Sequence, residues 1–96
     1  MSGGELITKP LTFKGASLTL NFATSAAGGV RVEIQDVNGK VLPGFALDDC
    51  DPLFGDTLER SVTWKNGADI TALAERPVRL RFALQDADVY SFQFTK

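Results

Sequence analysis

Apolar and polar side chains alternate along much of this chain. Leu18, Leu20 and Phe22 are separated by Thr19 and Asn21, and Val30, Val32 and Ile34 by Arg31 and Glu33. The run Val78-Arg79-Leu80-Arg81-Phe82-Ala83-Leu84 continues the pattern, and Tyr90-Ser91-Phe92-Gln93-Phe94 closes the chain. A period of two predicts strands with one buried and one wet face, the habit of antiparallel sheets. Leu6–Lys9, Leu11–Phe13, Phe45–Leu47 and Arg60–Trp64 are weaker strand candidates, the last with Val62 and Trp64 on one face.

The connections carry turn residues. Asn38-Gly39 predicts a two-residue hairpin turn, because both residues tolerate positive φ. Ala26-Ala27-Gly28-Gly29 and Gln85-Asp86-Ala87-Asp88 each predict a turn between two strands, and Pro43-Gly44 a break. A short helix is expected near residues 69–75, with Asp69 as N-cap and Pro77 beyond its end. Seven or eight strands and one short helix predict an all-β fold: an antiparallel β-sandwich, of jelly-roll type.

Length and composition narrow the function more than the fold. Ninety-six residues suit a single module spanning 1–96, with residues 1–4 expected to be flexible. The chain has no His, which removes Ser-His-Asp and Cys-His nucleophile systems and His-ligated zinc. One Cys allows no internal disulfide and no multi-Cys metal site. A net charge of −2 argues against nucleic-acid and anionic-membrane partners. No run approaches the roughly 18–20 apolar residues of a membrane span, and the N-terminus lacks the basic and apolar regions of a signal peptide. Catalysis is not expected. A domain this small has little room for both a core and a deep pocket of about 300–1,000 Å³.

The charge is unevenly spread. Asp48–Glu59 holds Asp48, Asp49, Asp51, Asp56 and Glu59 with no basic residue, a charge of −5, against +3 on the remainder. Several oxygens on one loop suit a hard cation, so Asp48, Asp49, Asp51 and Asp56 are candidate calcium ligands, although their spacing is not that of an EF-hand. The same short side chains equally suit turn stabilisation through nearby backbone N–H groups. No cofactor is required by the sequence. Cys50 lies within this segment. Its acidic neighbours and the absence of His point to a packing residue, not a nucleophile.

Of nine aromatic residues, Phe22, Phe45, Phe82, Phe92 and Phe94 fall on inward phases. Trp64 shares the phase of Val62, which favours the core, yet it also lies at a strand end. An aromatic ring can stack on the apolar C–H face of a pyranose. Phe54 is the first candidate for such a contact, then Trp64 and Tyr90, with Asp51 and Asp56 as hydroxyl acceptors. Arg31, Glu33, Arg79 and Arg81 project from the opposite phase, either as a gripping surface or as cross-strand ion pairs.

The strings GELITKPLTFKG, VRVEIQDVNGKVLPGF, DDCDPLFGD, VTW and ADITALAERPVRLRFALQDADVYSFQF resemble the small C-terminal β-sandwich module of certain bacterial glycoside hydrolase-like proteins. Those proteins carry a propeller catalytic domain of the β-fructosidase and sialidase type. The resemblance spans about Gly4–Phe94. It implies a non-catalytic accessory module of a secreted protein, extracellular or periplasmic. Such a module would bind carbohydrate or pack as a structural element against the adjacent catalytic domain. The catalytic carboxylates of those proteins lie on the propeller, so the resemblance assigns no residue here.

Overall fold

The structure is a computed structural model. It describes residues 4–95 apart from 66, 68 and 75, and the backbone alone at 26, 27 and 56–59. The described residues form an antiparallel all-β fold of four strands: β1 (Gly4–Ile7), β2 (Ser17–Gln35), β3 (Asp56–Ser61) and β4 (Arg79–Thr95). They join in one sheet of order β1-β4-β2-β3. The flexibility expected at residues 1–3 falls outside the described residues, whereas Gly4 is already paired with Leu84.

The main departure from the sequence reading is in the number and length of strands. The two breaker segments do not end strands. They lie opposite each other within one long pair, between the partners Thr24↔Ala87 and Gly29↔Gln85. Unequal numbers of residues between paired positions make a bulge, which bends a strand without ending it. Asp86 takes φ +45° there. Both strands bend together and stay hydrogen-bonded, so four expected strands become two.

The bend brings the apolar faces of the two halves together. Phe82 and Phe92 lie ten positions apart on β4, about 33 Å in a straight strand. Their ring centroids are 5.5 Å apart. Leu18, Leu20 and Phe22 from the first half of β2 share the core with Val30, Val32 and Ile34 from the second. Phe13 is buried as well and stacks on Phe94 at 4.2 Å.

A turn forms at the expected place but as a three-residue loop, 37–39, closed by Asp36 and Lys40, in which Gly39 and not Asn38 takes positive φ. Gly39 takes φ +84°, and the Asp36 carboxylate accepts from the Asn38 and Lys40 N–H groups at 2.9 and 3.0 Å. The returning chain makes a bridge at Val41↔Gln35 and not a full strand. Phe45–Leu47, expected as a strand, instead leads into a 3-10 turn, Leu47–Asp49. The helix expected near 69–75 is a second 3-10 turn, Thr71–Leu73; position 75 is not among the described residues. Asp69 stands one residue before the N-cap and accepts from the Thr71 N–H at 2.9 Å. Ile70 and Leu73 anchor the turn in the core.

The opposite face resolves into ion pairs. Glu33 is buried and lies directly across from Arg81. Its carboxylate accepts from Arg81 at 3.3 Å, Gln35 at 2.7 Å and the Leu47 N–H at 3.4 Å. Several donors compensate a carboxylate taken out of water. Arg81 also donates to Glu5 on β1 at 2.6 Å, and this bond holds the Glu5 carboxyl below the usual carboxylate range. Arg79 donates to the Val37 carbonyl at 3.1 Å.

Candidate functional site

The bend is also where a cleft opens. It has a volume of about 650 Å³, within the range of small-molecule sites. Loop and bulge build it as an open surface cleft outside the core and not as a deep pocket. Gly28 and Gly29 border it. Phe54, Leu47 and Pro52 supply apolar surface, while Arg31, Asp48 and Gln85 supply polar groups.

Strand-like alternation presents Phe54 outward. Leu53 is buried and exchanges two 2.9 Å backbone hydrogen bonds with Val30. The next side chain must therefore face away, and Phe54 is 56% exposed. Beyond it, Gly55 takes φ +88°. Its N–H donates to the Thr24 hydroxyl at 2.8 Å, and its carbonyl accepts from the Thr24 N–H at 3.1 Å. The aromatic ring thus sits on a segment pinned on both sides to β2. Asp48 is exposed in the first 3-10 turn. Arg31 is carried by β2 opposite Ala83, on the exposed phase between buried Val30 and Val32.

Asp49 and Asp51 make bonds within the protein. Asp49 accepts from the Ala46 N–H at 3.3 Å and pairs with Lys65 at 3.7 Å. Asp51 accepts from the Thr63 hydroxyl at 2.6 Å. The Asp56 side chain lies outside the described residues; its backbone pairs with Ala23. Among the described residues no three Asp, Glu or Cys side chains gather as a metal site. The calcium expectation for Asp48, Asp49 and Asp51 therefore gains no geometry; the turn-stabilising alternative accounts for Asp49, while Asp51 ties its segment to Thr63 twelve positions on.

Two of the three aromatic candidates lie away from the cleft. Trp64 is 2% exposed. Its indole N–H donates to the Val32 carbonyl at 2.9 Å, and Phe45 meets its ring edge-on at 5.3 Å. No ring face is left for a ligand, so Trp64 is corrected from binding candidate to core. Tyr90 is exposed but borders a different hollow, beside Leu6 and Val89. The sequence reading missed Gln85 as a cleft residue, and placed Arg31 on a general polar face. Only the bend brings Gln85 beside Phe54, and no local pattern signals that.

Cys50 behaves as packing. It is buried, its sulfur accepts from the Val32 N–H at 3.3 Å, and burial pushes its pKa up. The thiolate is the reactive form. Labelling by a thiol reagent at pH 8 is accordingly expected to be negligible in the folded chain and rapid in urea; fast labelling without denaturant would show that the core opens here.

No helix among the described residues is long and apolar enough to cross a membrane. Comparison with known proteins finds no matching family model, curated protein or solved structure. What fold and cleft define is a small antiparallel all-β domain with an aromatic-lined surface cleft.

Proposed function

We propose that this domain is a non-catalytic carbohydrate-binding module of a larger secreted protein, and that the Phe54 cleft is its binding site. The observation that carries the reading is the exposed Phe54 ring on a pinned segment, beside Arg31, Asp48 and Gln85. A pyranose offers an apolar C–H face to such a ring and hydroxyls around its rim. Arg31 can donate to those hydroxyls, Asp48 can accept, and Gln85 can do either. Asp48 is the one carboxylate among the described lining residues, whereas glycoside hydrolysis uses a pair. This composition suits holding a sugar more than cleaving it. Secretion and a neighbouring catalytic domain enter the proposal with the resemblance noted above. The finer fold reading belongs here too: the two halves of the bent sheet would be the layers of a jelly-roll sandwich, as the Phe82–Phe92 contact supports.

Calorimetric titration and affinity electrophoresis against a panel of plant, algal and bacterial polysaccharides test the site. The chain is expected to be retained on at least one. Phe54→Ala should weaken that binding about tenfold or more, ~1.4 kcal/mol, with an unchanged urea midpoint because the ring is already half in water. Retention on none of them, or full binding by Phe54→Ala, would overturn the proposal.

A further inference from the structure

The cleft around Phe54 holds a charge that the fold leaves unused. Arg31 and Glu33 on β2, Arg79 and Arg81 on β4 and Glu5 on β1 share the polar face of the sheet. Arg79 donates to the Val37 carbonyl. Arg81 takes both carboxylates, Glu33 at 3.3 Å and Glu5 at 2.6 Å. By position, either could have served Arg31. Glu33 stands two residues along the same strand, and Glu5 lies in the cross-strand row Glu5–Ala83–Arg31. Glu33 is bound besides by Gln35 and the Leu47 N–H. Among the described residues, the exposed Arg31 makes no hydrogen bond or ion pair. Its neighbour across the ladder is Ala83, too small to cover a guanidinium, and both border the cleft.

We propose that the sugar held at Phe54 is an acidic one, a pyranose bearing a carboxylate, and that Arg31 reads that group. This rests on the carbohydrate reading of the cleft and narrows it. The C5 carboxylate of a hexuronate projects from the rim of the ring, which leaves the C–H face free to stack on Phe54. A guanidinium fork meets a carboxylate with two parallel charged hydrogen bonds, stronger than its bonds to neutral hydroxyls. Asp48 also lines the cleft and can only accept. It takes ring hydroxyls, and its charge repels the sugar carboxylate toward Arg31. A neutral sugar would leave the guanidinium without a counter-charge. An amino sugar would add an ammonium to a cleft that already holds an unpaired cation.

The test compares polyglucuronate, polygalacturonate and alginate with their carboxyl-reduced forms, which keep the rings and lose the charge. Chitosan and neutral glucans and mannans complete the set. Affinity electrophoresis and calorimetry are run in about 0.15 M salt, which screens separated charges. A chain of net charge −2 has no general attraction to polyanions, so retention on one reports a specific contact. The chain is expected to bind at least one acidic polymer, and carboxyl reduction should weaken that binding about tenfold or more. Arg31→Gln should abolish the preference for the acidic form over the reduced one, and Arg31→Lys should restore part of it. The urea midpoint should stay unchanged in both variants, since the side chain is exposed and unbonded. Equal binding of acidic and reduced forms, a preference for chitosan, or a preference for acid that survives Arg31→Gln would each overturn the inference. Retention on neutral polymers alone would overturn it and leave the carbohydrate reading standing; retention on none would overturn both.

Discussion

Trp64→Ala is expected to cost about 3–5 kcal/mol, the usual loss when a large buried aromatic becomes alanine. A 96-residue domain has only about 5–15 kcal/mol of stability in all. The variant should therefore be close to unfolding at room temperature. The reason lies in what the indole joins. It follows β3 in the chain, donates to Val32 on β2, meets Phe45, and its backbone bridges to Cys50. Removing it leaves a cavity and also an unpaired Val32 carbonyl, a buried acceptor worth about 1–3 kcal/mol when orphaned. Trp64→Phe separates the two effects. It keeps most of the ring and loses the donor, so its cost should be clearly smaller. Urea unfolding followed by near-UV circular dichroism measures both. A Trp64→Ala midpoint matching the parent would remove Trp64 from the core.

Two adjacent glycines should respond very differently to one methyl group. A Cβ at Gly28 would fall inside contact distance of the Gln85 and Asp86 carbonyl oxygens. Both are backbone atoms of the strand across the bend and cannot rotate aside. Gly28→Ala is expected to destabilise by about 1–3 kcal/mol, the range for forced overpacking, by prising β2 from β4. At Gly29 the nearest atoms to a Cβ are the Leu53 carbonyl oxygen at 3.6 Å and the Phe54 ring at 3.8 Å. These are ordinary contacts, so Gly29→Ala should stay within about 0.5 kcal/mol of the parent. Equal effects at both positions would show that the strands do not approach closely at the bend.

The contrast between these glycines marks where sequence reading stopped. The pair Gly28-Gly29 announces a break between two alternating runs. Locally, a turn and a bulge look the same. Which one forms depends on Gln85 and Asp86, more than fifty positions away in the chain, because a bulge needs a partner strand that bends with it. The same limit governs the aromatics. Phe54 was legible as a ligand candidate from its place in the acidic segment, but its outward direction was not, because it follows from the pairing of Leu53 with Val30 on a distant strand. Trp64 was legible as core from the phase of Val62. Its bond to Val32 was not, since it joins two distant segments.

By itself, the sequence determined the all-β antiparallel class, the inward faces of β2 and β4 and the place of the turn at Asn38-Gly39. Each rests on side-chain period or on the backbone preference of a few neighbouring residues. The tertiary structure alone decided that four expected strands are two, that Asp49 serves a turn while Asp51 binds Thr63, and that Arg31, Asp48 and Gln85 converge on Phe54. It also decided that, among the described strands, β4 beyond Leu84 pairs on one side alone, beside an apolar hollow. Those outcomes depend on the register between segments far apart in the chain, and register is set by packing across the bend, not by any local pattern.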